Sequence, residues 1–213
     1  MLVAPEGYPF LVFPAIGGVV AFLFGYPVLA GVLVVVALAC AAFFRDPQRN
    51  SDAPAHAVLA PADGKVLTVR PAPPAVSGLG LSTQVSIFMS PANVHVNRAP
   101  IAGTVREARV VPGHKLPAFR DKASDLNEHS FVVLDGDGVT VAYKQIAGAL
   151  ARRVVCDLAP GQRVARGQRV GIIKFGSRVD LFLPPEAKVA VVAGERTRAG
   201  LTVVAWLPEG KGA

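Results

Sequence analysis

Cysteine is scarce in this chain: two in 213 residues, Cys40 in an apolar run and Cys156 in a strand-like segment. A disulfide between them would have to join an apolar helix to a globular domain, so free thiols in a reducing compartment are expected. No Cys/His cluster has metal-ligand spacing, and there is neither a GxGxxG nor a Walker A loop, so the signatures of metal and nucleotide sites are missing. Aromatics make up 7% of the chain and are not interleaved with basic residues, which argues against a nucleic-acid partner. The most informative absence is of charge. No Asp, Glu, Lys or Arg occurs from Tyr8 to Phe44, and Glu6 is the only charged side chain before Arg45.

A helix that crosses a bilayer needs roughly 20 apolar residues. Pro9–Phe24 and Pro27–Phe44, divided by Gly25-Tyr26, supply one marginal and one adequate span. A helical hairpin is the preferred reading, and one span with a re-entrant or interfacial first half is the alternative. A secretory signal would carry a basic first region and a much shorter apolar run. Arg45 and Arg49, directly after the run, place that end in the cytoplasm by the positive-inside rule. Residues 1–44 are therefore expected to anchor residues 45–213 to the cell membrane on its cytoplasmic side. The second part holds all 22 Lys and Arg and 14 of the 15 Asp and Glu, a net charge of +8 suited to an anionic leaflet.

Beyond Pro47 the pattern changes to short β-branched runs with turn punctuation. "AVLAPADGKVLTV" reads as strand, Asp-Gly turn, strand. "FVVLDGDGVTVAYKQIAG" reads as a hairpin around Asp-Gly-Asp-Gly, and "TQVSIFMS", "GTVREARVV" and "VVCDL" as further strands, while "AFRDKASDLNEH" reads as a short turn or loop. "APGQRVARGQRVGIIKF" has the paired turns and hydrophobics of a tight hairpin, similar to those of lipoyl-type barrel-sandwich domains. The expected fold is mainly β: a compact antiparallel domain of barrel-sandwich, lipoyl-like character behind a transmembrane helical anchor.

Three polar residues lie next to strands and have the types needed for nucleophilic catalysis: Asp63 in "PADG", His95 in "ANVHVNRAP" and Ser177 in "IIKFGSRVDLFLP". A hydroxyl is a weak nucleophile until a base within hydrogen-bond reach takes its proton and an acid orients that base. The plain alternatives are an Asp-Gly turn, a structural histidine and a Gly-Ser hairpin turn.

The blocks "FFRDP", "PADGKV", "VHVNRAP", "KASDLNEH", "QIAGALARR" and "GQRVGIIKFGSRVDLFLP", in this order, resemble the short form of the phosphatidylserine decarboxylase family over essentially the whole chain. The resemblance implies a proenzyme that cuts its own Gly176–Ser177 bond, leaving a large chain (1–176) and a small chain (177–213) as a heterodimer. Ser177 would become a covalent pyruvoyl group that forms a Schiff base with phosphatidylserine, releasing CO2 and phosphatidylethanolamine without a metal or pyridoxal phosphate. Asp63 and His95 would assist. Longer members carry two histidines at this motif. His95 matches the first and Arg98 stands at the second, so His114 and His129 are the other candidates for the processing base. Arg98, Lys115, Lys122, Arg152 and Arg153 are candidates for the substrate's phosphate or carboxylate. Archaetidylserine is an alternative substrate, and a membrane-anchored carrier modified at Lys174 is the alternative of a different class.

Overall fold

The structure is a computed structural model and describes residues 2–114, 116–117, 123–148, 154–173 and 177–208. The chain divides into two compact units after Gln48.

In the first unit a short strand β1 (Leu2–Val3) precedes two helices, α1 (Tyr8–Leu23) and α2 (Pro27–Phe43), and β2 (Arg45–Asp46) pairs back antiparallel on β1. The turn between the helices is Gly25-Tyr26, with Pro27 opening α2 where its missing N–H costs nothing. The helices meet at small residues: a Cβ on Gly18 would stand 3.4 Å from the Ala30 carbonyl. Phe13, Ile16, Val19, Val28, Val35 and Leu38 remain exposed, a density of apolar surface that water does not favour. Pro5–Leu23, 19 residues including a 3-10 turn at its start, is long and apolar enough to cross a membrane, whereas Pro27–Phe43 is equally apolar and shorter.

The second unit is built from antiparallel strands. In chain order they are β3 (Ala57–Leu59), β4 (Gly64–Pro71), β5 (Thr83–Met89), β6 (Val96–Arg98), β7 (Gly103–Val111) and, after the one-turn helix α3 (Ala123–Leu126), β8 (His129–Gly136) and β9 (Val139–Ala147). They continue with β10 (Val154–Cys156), β11 (Arg163–Val164), β12 (Arg169–Ile173), β13 (Ser177–Leu183), β14 (Lys188–Val189), β15 (Arg196–Thr197) and β16 (Val203–Trp206). An eight-stranded sheet has the order β11-β7-β8-β9-β13-β5-β4-β15, and two three-stranded sheets run β10-β12-β6 and β14-β16-β3. Bulges at Val66/Thr68 and Val105/Glu107 bend the large sheet. Val58 and Val204 from one small sheet, Val170 and Ile173 from the other, and Val85, Ile87, Val132, Leu134, Val141 and Leu181 from the large one fill a common core. The mainly β, barrel-sandwich expectation is met.

Three local expectations change. Asp63-Gly64 is not a hairpin turn, because β3 pairs with β16 while β4 pairs with β5 and β15. Gly64 lies inside the ladder, where a Cβ would stand 2.1 Å from the Phe88 carbonyl. Nor is "APGQRVARGQRV" one tight hairpin, since β11 pairs with β7 and β12 with β6 and β10. It is instead one turn used twice. Gly161 and Gly167 hold φ of +84° and +77° at the third position of type II turns, where L side chains are strained. In each turn the following Gln closes back on the first residue, Gln162 on Ala159 and Gln168 on Ala165. Each turn then docks by a pair of backbone bonds, one on Val105 and the other on Ala99, and Val192–Glu195 repeats the device on Val66. The third change concerns "IIKFGSRVDLFLP". Strands β12 and β13 lie in different sheets and do not pair with each other, so they are not the two arms of a hairpin. By contrast, the Asp137-Gly138 hairpin joins β8 to β9 as read, with both central residues at positive φ.

Candidate active site

Ser177 opens β13, the strand enclosed by β5 and β9 at the middle of the large sheet, with Met89 and Ala147 as its direct cross-strand partners. Its hydroxyl is fully buried and donates to the Met89 Sδ at 3.3 Å, a weak acceptor that leaves the proton loosely held. Gly176, on the other side of the expected scissile bond, lies outside the described residues, as do Lys115, Lys122, Arg152, Arg153 and Lys174. The chain approaches through β12, whose last residue, Ile173, donates its N–H to the His95 carbonyl at 3.3 Å. The backbone of His95 is therefore clasped to the strand that delivers the expected cleavage site.

The His95 ring is fully buried, and its Nδ1 lies 3.0 Å from the Asn93 carbonyl. A carbonyl only accepts, so Nδ1 carries a proton, and a neutral ring of this tautomer has its lone pair on Nε2, the arrangement a general base requires. His129 makes the same bond to the Asn127 carbonyl at 2.8 Å. Its position differs, however. His129 faces Ile146, which faces Arg178, so its side chain lies on the opposite sheet face from those of Ser177 and Ala147. His114 is exposed, in an isolated bridge to Asn127, and His56 packs its ring against Trp206 at 5.3 Å.

Asp63 is almost entirely buried, and both of its carboxylate oxygens are engaged. Arg49 forks onto both oxygens, with Nη2–Oδ2 at 2.9 Å, and the Ala199 N–H reaches Oδ1 at 2.7 Å. Arg49 also donates to the Ala199 carbonyl at 2.8 Å. The atoms by which Asp63 and His95 would pair are thus given to Arg49 and Asn93. A third residue bridges their surroundings: the Asn97 Nδ2 donates to the Pro61 carbonyl in the Asp63 loop at 3.3 Å and reaches the same Met89 sulfur at 3.7 Å. Arg98 donates to the Gly167 carbonyl at 3.0 Å and is half-buried in the repeated turns.

On the outer face of β13, Arg178 and Asp180 form an ion pair at 2.6 Å with both side chains at most 1% exposed. The Ser86 hydroxyl accepts from Arg178 at 2.8 Å, and the Ser124 hydroxyl, on α3, donates to Asp180 at 2.6 Å. A buried pair with hydrogen-bonded partners on both sides favours one register of the strand that starts with Ser177. Sequence reading did not single out Arg49 as the Asp63 partner, nor Asn97, Gln145 and the Arg178–Asp180 pair. The signal was present: polar residues embedded in runs that otherwise read as core strand. A cavity of about 810 Å3 opens beside Pro184, Ile101 and Leu207, next to the far end of β13 from Ser177.

This geometry fits what the chain is similar to. Residues 36–205 match the family model described as phosphatidylserine decarboxylase. A protein of Magnetococcus marinus named phosphatidylserine decarboxylase proenzyme is 47% identical over 203 residues, covering 94% of this chain and 93% of the relative. Proteins of the same name from Solibacter usitatus and Geobacter sulfurreducens are 46% and 43% identical, with coverage of 90% and 97% of this chain and 89% and 97% of theirs. With a serine heading an interior strand at a sheet crossing, and with similarity of this extent from α2 through β16, the chain belongs to the phosphatidylserine decarboxylase family.

Proposed function

We propose that this chain is a self-processing proenzyme that decarboxylates phosphatidylserine to phosphatidylethanolamine at a membrane surface. The observation that carries the reading is the placement of Ser177. A serine that only made a turn would join two paired strands, whereas this one heads a strand whose predecessor belongs to another sheet.

The processing chemistry follows from the residues around it. The Ser177 Oγ bonds to the carbonyl carbon of Gly176, the Gly176–Ser177 C–N bond breaks, and the hydroxyl proton ends on the Ser177 nitrogen. His95 Nε2 is the base that carries it, with its tautomer set by Asn93. The resulting ester loses the Ser177 α-proton and its C–O bond, which frees the Gly176 carboxylate. Hydrolysis of the dehydroalanine then releases ammonia. Asp63 acts as a carboxylate locked by Arg49, keeping the Pro61–Gly64 loop against Met89 and Asn97.

Position 177 suits a pyruvoyl group, because the group would be made in place from Ser177 between neutral neighbours, Met89 and Ala147, on strands already paired at both edges. A pyruvoyl carbonyl there would supply the electron sink that lets an amino-acid head group lose CO2. The names of the relatives support phosphatidylserine over archaetidylserine. The carrier alternative loses its support, because β12 and β13 belong to different sheets and are not the paired arms of one hairpin.

The test is the intact mass of the purified chain and of Ser177→Ala, with CO2 release from phosphatidylserine and from archaetidylserine vesicles. We expect two chains, the smaller blocked to amino-terminal sequencing, and a single uncut chain for the variant. Cleavage of Ser177→Ala would overturn the reading.

A further inference from the structure

A line of buried, uncharged polar side chains crosses the domain and ends beside Ser177, and the chemistry above uses only its Asn97 end. The Ser130 hydroxyl on β8 donates to Gln145 Oε1 on β9 at 2.7 Å. Gln145 Nε2 donates to Asn97 Oδ1 on β6 at 2.9 Å, and Asn97 Nδ2 donates to the Pro61 carbonyl and reaches Met89 Sδ. Ser130, Gln145, Asn97, Met89 and Ser177 are all fully buried. Burying an amide is unfavourable unless it is hydrogen-bonded, and apolar side chains would fill the same space without that demand.

The polarity of the line is not free. The Pro61 carbonyl only accepts, so Asn97 must turn its NH2 toward it. Asn97 Oδ1 then faces Gln145, which must offer its own NH2, and Gln145 Oε1 faces Ser130, which must donate. One acceptor-only group fixes every member, and the last N–H in the line points at the sulfur that holds the Ser177 hydroxyl. Gly171, at φ +150°, lies alongside: a Cβ there would stand 2.1 Å from the Val155 carbonyl and 3.2 Å from Gln145 Nε2.

Building on the self-cleavage proposed above, we propose that Ser130, Gln145 and Asn97 are positioning residues for the acyl shift. Acting through one another, they hold the Asn97 N–H on the Met89 sulfur, and so hold that sulfur where it accepts from the Ser177 hydroxyl that is to bond to the Gly176 carbonyl carbon. Misplacing a reacting group by about 1 Å typically costs about 10²-fold in rate.

The test is Gln145→Glu in the full chain. An ionised carboxylate has the shape of the amide and still accepts from Ser130, but it cannot donate to Asn97. Asn97 must then turn its NH2 toward it and its oxygen toward Pro61. Protonation returns a donor to the same place, and burial raises the carboxyl pKa into a usable range. The rate of self-cleavage of the variant relative to the native chain is therefore expected to fall by at least about tenfold from about pH 5 to about pH 9. Asn97→Asp carries the same test, because its carboxylate cannot donate to Pro61. A ratio that stays flat with pH, whether high or low, would overturn the positioning role. If neither variant accumulates as folded protein, the line serves folding and the proposal falls. Ser177→Ala, run alongside, separates the two readings: if it stays uncut while the ratio is flat, only the relay is lost.

Discussion

At the scale of single residues the domain keeps its protons tightly. Burial pushes the Tyr143 phenol well above its ordinary value, with the nearby Cys156 adding to the shift, and burial likewise pushes the Cys156 thiol up. Tyr143 Oη has no hydrogen-bond partner among the described residues. Both groups hold their proton more firmly folded than unfolded, so their contribution is complete below the unfolded thiol value of about 8.5 and is lost as pH rises toward the folded values. The urea midpoint of the native chain should therefore decline above about pH 8 as the unfolded thiol ionises, and more steeply above about pH 10 as the unfolded phenol does. Tyr143→Phe keeps the packing and removes an unsatisfied hydroxyl. It should leave stability at pH 7 unchanged or higher by about 1 kcal/mol and make the decline above about pH 10 shallower. Equal alkaline slopes for the two proteins would show that Tyr143 is not the group responsible. The site shows how local reading falls short at this scale. Asp63, His95 and Ser177 were visible because their types carry chemistry, yet the residues that hold them, Arg49, Asn93 and Met89, come from other parts of the chain or from backbone atoms. Nothing in a run such as "FFRDPQRN" distinguishes an arginine that meets lipid from one that forks onto a buried carboxylate.

At the scale of elements, the proposed self-cleavage requires that β13 remain in place once the bond before it is cut. It is hydrogen-bonded along both edges, to β5 through seven residue pairs and to β9 through six, and all seven of its residues are buried. Backbone pairing of this extent does not depend on the peptide bond at its head. The cleaved chains should therefore copurify and separate only under denaturing conditions. Leu181→Ala, which empties a fully buried position in the core, should destabilise the assembly by about 2–5 kcal/mol and release the small chain at lower urea, measured by size exclusion across a urea series. Release of the small chain from the native protein without denaturant would contradict the account. The alternating and apolar runs that form β5, β8, β9 and β13 were legible because strand period and turn chemistry are local. Which strands pair was not legible. The two GQRV copies read as one hairpin, yet each docks on a different strand, a choice made by contacts about 60 residues apart.

At the scale of the whole molecule, the substrate's acyl chains stay in a bilayer while its head group must reach position 177. On the proposed function, the candidate span Pro5–Leu23 would supply apolar anchoring and the basic residues after Phe44 would add attraction to an anionic leaflet. Each basic residue close to an anionic surface contributes on the order of 1 kcal/mol, an attraction that salt screens. Deleting residues 1–44, which retains Arg49 for Asp63, should spare self-cleavage and lower CO2 release from anionic vesicles. The residual rate should fall further as salt rises, because only electrostatic attachment remains. Equal, salt-independent rates for the full and shortened chains would show that the helices are not needed for turnover.

The sequence by itself determined the two-part character of the chain, the β class of the larger part and the identity of the serine at the head of β13. These follow from composition, residue period and a contiguous motif, all of which are local properties. Tertiary structure alone decided that β12 and β13 belong to two sheets rather than to one hairpin. It also decided that Asp63 answers to Arg49 and that the amides of Asn97 and Gln145 line up on Ser177. The reason is physical: burial obliges every polar group to find a partner, and that partner is chosen by whichever strand the fold lays alongside, however distant in the chain.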